Sequence, residues 1–421
     1  MNILLVGATG FVGRHLLLAL QQAGHRVVAT CREPRGQDWP GVEWRSLDLN
    51  RLAADPQAFD FPPSVDLLIN AAGLLSVDAA ELSRVQDQGT CALFDLAARR
   101  GGRVLQVSAL GASAQADVPF LASKGAADDY LLSLGVSAVV LRPSLVVGEG
   151  GASSTWLAGL SPWPLIPLLD LKAQLQPVHI DDLVGAVLAL LRTWPVESMV
   201  VPVVGPEPMR LSQVIDHLRA AQGWAPGRYI QAPLLSLSGW VGERLGWRAL
   251  NKQSIALAQR DNLADPDVLA SVCGYSAAPL ASRLQGWPTA AVSSQRSIRP
   301  LMLAVLVLIW LGTAAVCLGP GFEWGLRILA QAGVHGAWAT LAVIGGALCD
   351  GLLGVGLLVR RWRRQTLILQ LLLMAGYTVV ISFVLPHYWF DPYAAVAKNL
   401  VLMVATLWLL WTEPTGNELR R

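Results

Sequence analysis

The sequence predicts a doubly wound α/β domain with a parallel sheet and a small α/β cap, followed by an all-α bundle of four membrane-spanning helices. Three observations support this prediction. A glycine-rich turn joins an apolar strand to an apolar-periodic helix at the N-terminus. Short apolar runs then alternate with helical patterns up to about residue 150, which is typical of a parallel sheet. Four long runs after residue 299 lack charge almost completely.

The first 150 residues carry the pattern of the sheet domain. Predicted strands are Ile3–Val6, Arg26–Thr30, Val42–Arg45, Asp66–Ile69, Arg103–Ser108 and Ala138–Leu141. Predicted helices are Gly10–Ala23, part of Ala79–Arg100, and Ser123–Leu134. Residues 151–290 are less regular and are expected to form the smaller cap, with helices Ile180–Arg192 and Leu211–Gln222 and a strand Met199–Val204. The segment 288–297 is small and polar, which predicts a linker at residues 291–299.

The C-terminal part predicts membrane helices. The uncharged runs are residues 300–322, 365–385 and 399–412, and residues 328–349 carry only His335. Each is about long enough to cross the hydrocarbon core as a helix. Arginines precede the first run, separate the second from the third and end the chain. With four spans they fall on one side, so residues 413–421 form a cytoplasmic tail and both termini are cytoplasmic, in a bacterial plasma membrane.

The overall composition argues against one class of binding partner. The 32 basic and 30 acidic residues give a net charge of +2, which argues against nucleic acid. Hydrophobic residues make up 53% and charged residues 15%, an apolar balance that the C-terminal part explains. The five cysteines are scattered without a Cys-x-x-Cys pair, so no metal or redox motif is predicted.

The N-terminal turn, Val6-Gly7-Ala8-Thr9-Gly10-Phe11-Val12-Gly13, predicts a dinucleotide site. Gly7 allows a tight turn, Gly10 lets the backbone approach a pyrophosphate, and Gly13 lets helix and strand pack closely. The helix N-terminus offers N–H groups and a positive dipole end to phosphates. Strand, turn and helix together are typical of a Rossmann domain.

Residues after the second strand predict the choice of dinucleotide. An acidic residue there favours NAD through the ribose 2′-hydroxyl, whereas Arg32 would pair with the 2′-phosphate of NADP. NADP is therefore preferred, and Glu33 keeps NAD as the alternative. Asp48, followed by Leu49, is a candidate acceptor for the adenine amino group, although a solvated loop aspartate fits the same pattern.

Several motifs in order resemble those of the extended and atypical short-chain dehydrogenases/reductases. Besides the glycine turn they are Asp48-Leu49, Asn70-Ala71-Ala72-Gly73, Ser108, Lys124, Arg142-Pro143-Ser144 and Pro177-Val178-His179-Ile180-Asp181-Asp182. The nearest resemblance is to the atypical branch that includes the 39 kDa NADPH-binding subunit of respiratory complex I. The four spans, with Asp391-Pro392 and Lys398-Asn399, resemble the DoxX-like membrane family. The motifs assign the dinucleotide to Gly7, Ala8, Thr9, Gly10, Phe11, Val12, Gly13, Arg32, Asp48, Leu49, Ala71, Ala72, Gly73, Ser108, Lys124 and Pro143.

The resemblance fails at the family's catalytic acid. The family uses a tyrosine four residues before its lysine, and this chain has Phe120 before Lys124. Phenylalanine cannot transfer a proton. The resemblance still assigns the nicotinamide ribose to Lys124 and the family's serine position to Ser108. His179 and Asp182 are the alternative proton donors, and a structural role is the competing reading of His179.

A polar pair is predicted inside the membrane part. Asp350 lies ten residues before Arg360, about 15 Å along a helix and so near the bilayer midplane. A carboxylate there is expected to face the bundle interior, with Lys398 as its candidate partner. A proton or quinone site and a structural clasp between helices are equally compatible with this pair.

Two functions are compatible with the sequence. The first is a membrane-anchored NAD(P)H-dependent oxidoreductase that passes reducing equivalents to a quinone or another lipid-soluble acceptor. The second is a non-catalytic NADP(H)-binding structural, sensor or assembly module of a membrane complex, which Phe120 favours. An isomerase or dehydratase with tightly bound cofactor is a third reading, and the missing tyrosine argues against it as well.

Overall fold

The computed structural model describes residues 1–33, 39–76, 78–231, 252–392, 394 and 396–413. The chain folds into two compact units, Met1–Ser294 and Gln295–Arg421. Most of the predicted cytoplasmic tail, including Arg420 and Arg421, lies outside the described residues.

The first unit is built on strands and helices that alternate along the chain. Its described strands are β1 (Asn2–Val6), β2 (Arg26–Cys31), β3 (Glu43–Ser46), β4 (Leu67–Asn70), β5 (Arg103–Val107), β6 (Ala138–Pro143), β7 (Val146–Val147), β8 (Leu165–Leu168), β9 (Gln174–Leu175), β10 (Val178–His179), β11 (Met199–Val203), β12 (Met209–Arg210) and β13 (Arg228–Gln231). Its described helices are α1 (Phe11–Gln22), α2 (Leu49–Ala54), α3 (Ala79–Leu82), α4 (Gly89–Ala98), α5 (Pro119–Ser133), α6 (Ala152–Leu160), α7 (Ile180–Arg192), α8 (Leu211–Ala221), α9 (Lys252–Ala258), α10 (Asp267–Cys273) and α11 (Leu280–Arg283). A π-helical turn, Ser83–Gln88, joins α3 to α4.

Seven parallel strands form the central sheet in the order β11-β6-β5-β4-β1-β2-β3. Alternate residues of each strand pack on opposite faces, as the pleat requires. Leu5 joins a core with α1, α7 and α10, whereas Leu4 joins a core with α2, α4 and α5. The predicted doubly wound α/β fold is therefore confirmed. Strand order reverses between β1 and β4, which is where such sheets bind ligands.

The predicted boundary near residue 150 does not divide the structure. β11 comes from the segment assigned to the cap, yet it pairs with β6 and forms an edge of the main sheet. The cap proper consists of short two-stranded sheets, β7 with β10, β8 with β13 and β9 with β12. A separate apolar cluster that includes Ile166, Ile215 and Leu280 holds it together. Cap and sheet therefore belong to one compact unit.

The second unit is helical, and its first helix begins before the unit boundary. The elements are α12 (Ala290–Leu318), α13 (Phe322–Gln331), α14 (Gly336–Leu358), α15 (Arg363–Val384) and α16 (Ala397–Trp411), with a 3₁₀ turn at Pro386–Phe390. The segment 291–299, predicted as a linker, instead lies in the first turns of α12. Ala291 and the polar residues of this segment are compatible with a helix, and Pro300 is accommodated inside α12.

Three of these helices are long and apolar enough to cross a membrane: α12, α14 and α15. Large apolar side chains such as Leu308, Leu352 and Leu372 point outwards, each at least 65% exposed. Such a surface suits lipid rather than water. The fourth predicted span corresponds to α16, which has 15 residues and is shorter than the about 20 that a crossing usually needs.

Candidate functional site

The glycine-rich turn has the geometry that its sequence predicts. Gly7 adopts a φ of +77°, and a Cβ there would lie 2.8 Å from Ala72 Cα at the end of β4. A Cβ on Gly13 would clash with the Gly7 carbonyl, so α1 packs on the turn only because residue 13 is glycine. Gly10 caps α1 without a side chain. The first N–H groups of α1 lack intrahelical partners and are open to an anion.

The carboxyl ends of β1, β4, β5 and β6 meet at one edge of the sheet. Asn70 and Gln106 are buried there, and Asn70 Nδ2 donates to Gln106 Oε1 at 2.8 Å. Asn70 Oδ1 also accepts from the Ala72 N–H at 3.1 Å. This bond fixes the backbone of Ala71-Ala72-Gly73 beside the turn. Pro143 ends β6 at the same edge, where its carbonyl accepts from the Leu110 N–H at 2.9 Å.

The residues predicted to select the dinucleotide lie after β2 and at the start of α2. Arg32 follows β2 and is exposed, and its carbonyl accepts from Ser46 Oγ at 2.9 Å. Asp48 caps α2, because its Oδ1 accepts from the Asn50 N–H at 2.9 Å. One Asp48 oxygen therefore has a structural task. Leu49 is buried, and its carbonyl would clash with a Cβ on Gly89. Its contribution is backbone packing at the start of α2.

Ser108 and Lys124 lie side by side at the carboxyl end of β5. Ser108 Oγ donates to Asp128 Oδ2 at 2.7 Å, and Arg142 donates to the same oxygen from Nε at 3.1 Å and from Nη2 at 2.9 Å. Lys124 Nζ donates to the Val107 carbonyl at 3.0 Å. Asp128 is completely buried. Ser108, Lys124, Asp128 and Arg142 are called the buried charge cluster below.

Burial shifts the acid strengths inside the buried charge cluster. Burial lowers the pKa of Lys124 to about 8, and the neighbouring Asp128 carboxylate opposes that change. Burial also raises the pKa of Asp128, while its bonds from Ser108 and Arg142 hold it down. The physical cause is the same for both residues, because each charged form loses hydration. Asp128 Oδ1 is buried without a hydrogen-bond partner within the described part of the chain.

Phe120 occupies the position where the family resemblance expects tyrosine. Its ring centroid lies 5.8 Å from Lys124 Nζ. Its N–H donates to Gln253 Oε1 at 3.1 Å, and Gln253 Nε2 donates to the Ser76 carbonyl at 2.6 Å. Gln253 is buried in α9 and links the loop after β4 to the start of α5. Nothing in the sequence around Gln253 signals this role, since both partners are more than 130 residues away.

The other candidate proton donors are held by structural partners. His179 caps α7, where its Nδ1 accepts from the Asp181 N–H at 3.3 Å, and burial lowers its pKa. Asp182 accepts from Tyr275 Oη at 2.8 Å and from Arg283 Nη2 at 2.6 Å. These bonds give His179 a capping role and make Asp182 a clasp between α7 and α11.

A further set of side chains lies beside the glycine turn and was not predicted. A Cβ on Gly150 would clash with the Arg14 guanidinium, so Arg14 lies against that loop. His15 Nε2 is 3.3 Å from the Glu149 carbonyl, and its ring stacks edge-on against Phe11 at 5.6 Å. Arg14 follows Gly13 directly, and the spacing of a helix puts both near the N-terminal end of α1.

In the second unit, Asp350 lies in α14 and is half-buried. Its neighbours Gly346 and Gly351 approach Tyr377 of α15 and Ala314 of α12. Lys398 lies in the first turn of α16 and is exposed. Among the described residues no ion pair joins Lys398 to Asp350. The predicted pair of Asp350 with Lys398 is therefore not formed in the described part of the chain.

The turn Gly7–Gly13 forms a cradle that fits a dinucleotide, because its glycines leave the space that the nucleotide needs. A side chain at residue 7 or 13 would fill that space, and the free N–H groups of α1 supply the phosphate donors. No group of three His, Cys, Asp or Glu side chains in the described ranges could hold a metal ion. When bound, the cofactor would supply hydride chemistry, which the side chains of this chain cannot.

Models of two protein families match the chain. The NAD dependent epimerase/dehydratase family matches residues 3–201, and the DoxX-like family matches residues 306–407. The second match and the three membrane-length helices make the chain a membrane protein. The structure of MoeE5 in complex with UDP-glucuronic acid and NAD has a TM-score of 0.54 and 20% identity over 71% of this chain and 100% of that chain. This likeness shows the fold.

Three curated proteins are similar to parts of the chain. Ceramide reductase of Caulobacter vibrioides is 30% identical over 197 residues, 45% of this chain and 61% of that protein. NADH dehydrogenase (ubiquinone) 1 alpha subcomplex subunit 9 of Dictyostelium discoideum is 26% identical over 226 residues, 50% of this chain and 61% of that protein. Protein FMP52 of Eremothecium gossypii is 31% identical over 156 residues, 35% of this chain and 68% of that protein. The chain thus spans 61% of the length of the first two.

Proposed function

Because this chain belongs to the NAD dependent epimerase/dehydratase family through residues 3–201 and carries a DoxX-like domain at residues 306–407, we propose that it is a membrane-anchored reductase. It binds a nicotinamide dinucleotide at Gly7–Gly13 and reduces a lipid-soluble acceptor. One observation carries the proposal: a fully formed dinucleotide cradle lies in the same chain as three membrane-length helices. Such an enzyme meets a substrate that resides in the bilayer.

NADPH is the proposed cofactor, with NADH as the alternative. The exposed Arg32 at the end of β2 is the only described cation that the sequence places at the ribose position, and it suits a 2′-phosphate. The matched variant is Arg32→Gln, which keeps hydrogen-bonding capacity and loses the charge. It should weaken NADPH binding about tenfold and leave NADH binding unchanged, as measured by fluorescence titration. Equal losses for both nucleotides would show that Arg32 does not bind the 2′-phosphate, which removes the argument for NADPH.

The membrane helices of the second unit favour a lipid-soluble hydride acceptor. A quinone or a lipid carbonyl would both partition into the bilayer beside these helices. One relative carries the name ceramide reductase, so a long-chain lipid ketone is the first acceptor to test and a quinone analogue the second. The full chain in lipid nanodiscs should oxidise NADPH when one of these acceptors is added.

The control for this assay is a charge at the cradle. Gly10→Asp places a carboxylate where the phosphates bind, whereas Gly10→Asn adds the same volume without charge. A Cβ on Gly10 would lie 3.2 Å from the Gly7 carbonyl, a contact that a small shift relieves. Oxidation by the wild type that does not exceed that of Gly10→Asp with any acceptor would sink the proposal. Partial activity of Gly10→Asn would show that charge, not volume, is decisive.

A nucleotide-binding module without turnover is the second candidate, and the site itself favours it in one respect. Ser108 and Lys124 already have partners in Asp128 and the Val107 carbonyl, and Phe120 has no proton to give. One relative is named as a subunit of an NADH dehydrogenase (ubiquinone). This candidate predicts thermal stabilisation by NADPH, no oxidation of it, and co-purification with a membrane complex.

We also infer four membrane crossings with both termini cytoplasmic. The arginines before α12 and those between α14 and α15 then lie on one side, as the positive-inside rule requires. α16 spans about 22 Å at its 15 residues, so its crossing requires flanking residues or a thinned bilayer. Reporter fusions at each terminus test this, and a C-terminal reporter active only outside the cytoplasm would reduce the crossings to three.

A further inference from the structure

The ammonium group of Lys124 is buried beside the site where the family places its proton donor. The side chain is 4% exposed, and the Phe120 ring stands 5.8 Å from Nζ. Within the described residues Nζ makes one hydrogen bond, to the Val107 carbonyl at 3.0 Å. An ammonium has three protons to donate, so two are left for a ligand.

Other proton-bearing groups of the first unit are directed elsewhere. Tyr130, the nearest tyrosine along the chain, donates to Asp95 at 2.7 Å. The Ser108 hydroxyl donates within the buried charge cluster. His179 caps a helix, and Asp182 belongs to a salt bridge. Among the described side chains named by the family motifs, Lys124 alone combines a mobile proton with free donor capacity at the strand ends.

The charge balance of the buried cluster favours release of that proton. Lys124 and Arg142 carry one positive charge each, and Asp128 carries one negative charge, so the cluster is +1 when the lysine is charged. After Lys124 loses a proton, Asp128 and Arg142 form a neutral pair with a 2.9 Å contact. Buried charge is costly unless it is balanced, so the neutral arrangement is favoured. Asp128 on α5 and Arg142 on β6 are the charged groups set against Lys124 in the described structure.

We infer that Lys124 is itself the catalytic acid of this chain, in place of the tyrosine that Phe120 has replaced. The inference rests on the proposed reductase function. The bound reduced nicotinamide would supply a hydride, breaking one of its C–H bonds, so that a C–H bond forms at the carbonyl carbon of the acceptor. The electrons of the C=O π bond would then become an oxygen lone pair. One N–H bond of Lys124 breaks and an O–H bond forms at that oxygen. Water then returns a proton to the neutral amine.

The first test reads the amine directly and needs no turnover. The chain has four lysines, which are Lys124, Lys172, Lys252 and Lys398. With ¹³Cε-lysine in the full chain in nanodiscs, the resonance missing from Lys124→Arg is assigned to Lys124 and followed with pH in the presence of NADP⁺. Titration near pH 8 supports the inference, since that pKa is lowered to about 8 by burial. A Lys124 resonance that stays charged beyond pH 10 overturns it.

The second test separates proton donation from ribose binding. Lys124→Arg keeps the charge and the hydrogen bond but cannot give up a proton. We expect at least about a 100-fold loss of kcat, since a general acid contributes that much. NADPH affinity should change only a few fold. Wild-type kcat should fall about tenfold per pH unit above pH 8, because the acid must be protonated.

Rescue provides the sharpest comparison. Phe120→Tyr in the Lys124→Arg background supplies a phenol where the family has one, beside a permanent cation. Recovery of turnover supports proton donation as the lost function. Full activity of Lys124→Arg alone would overturn the inference and leave the reductase proposal standing. Wild-type protein that binds NADPH but reduces no acceptor would instead defeat the proposed function, and the inference with it.

Discussion

Ser108 Oγ donates to Asp128 Oδ2 at 2.7 Å in the interior of the first unit. Asp128 also forms an ion pair with Arg142 at 2.9 Å. Asp128→Asn should therefore be severely destabilising, because it leaves Lys124 and Arg142 as two positive charges without a counter-ion. Removal of one partner of a buried ion pair costs about 3–5 kcal/mol. The neighbouring Asp129 is exposed and serves as the matched control. Denaturant unfolding in detergent should show the loss for Asp128→Asn only, and equal effects of the two variants would contradict the buried ion pair.

Tyr130 should be dispensable for turnover. Its hydroxyl donates to Asp95 on α4, and that bond is the first cause that raises the pKa of Tyr130 to about 12. Tyr130→Phe removes one hydrogen bond, worth about 1 kcal/mol of stability. NADPH oxidation and nucleotide affinity should be unchanged. A large drop in kcat would mean that Tyr130, not Lys124, supplies the proton.

Gly13 and Gly10 should respond differently to alanine. A Cβ at Gly13 would clash with the Gly7 carbonyl, whereas a Cβ at Gly10 would lie 3.2 Å from it. We expect Gly13→Ala to cost at least about 2 kcal/mol and to abolish NADPH binding, because α1 must move away from the turn. Gly10→Ala should bind with a modest loss. Isothermal titration calorimetry measures both, and equal affinities would show that α1 need not approach the turn so closely.

The stability of the first unit should rise with pH above 8 through Lys124. Its pKa is lowered from 10.5 to about 8 in the folded chain. Below pH 8 both states hold the proton, and the penalty for burying the charge is fully present. Between these values the unfolded chain holds more protons than the folded one, so unfolding becomes harder as pH rises, by at most about 1.4 kcal/mol per unit.

Lys124→Met isolates this contribution to the pH dependence, since methionine of similar length has no proton to lose. The free energy of unfolding, measured at pH 7, 8.5 and 10 in wild type and variant, should diverge in slope. The wild type gains stability relative to Lys124→Met across that range. Parallel slopes would show that Lys124 keeps an ordinary pKa in the folded chain.

Much of the sheet follows from the sequence because its signal is local. Apolar runs bounded by glycine or polar turns predicted the strands of the sheet within about two residues, and α7 has the predicted bounds Ile180–Arg192. The glycine turn is local for the same reason, since strand, turn and helix are adjacent in sequence. Asp128 could also have been found, because it lies one helical turn after Lys124 on the same face of α5.

The features that sequence did not reveal depend on distant contacts or on backbone detail. Gln253 reaches Phe120 and Ser76 from α9, and no periodicity encodes such pairings. The π turn Ser83–Gln88 interrupts an otherwise ordinary helical pattern. The cap boundary failed because β11 crosses back to the main sheet, and edge-strand order is set by the whole fold.

The salt bridge between Asp182 and Arg283 determines how far the chain can be shortened from its C-terminus before the first unit loses a buried ion pair. Asp182 is completely buried, while its partners Tyr275 and Arg283 come 93 and 101 residues later. A fragment that stops at residue 201, where the family match ends, would retain six complete strands of the sheet and part of β11. It would still bury the Asp182 carboxylate without Arg283. During synthesis, the Asp182 carboxylate therefore has no arginine partner until residue 283 has been made.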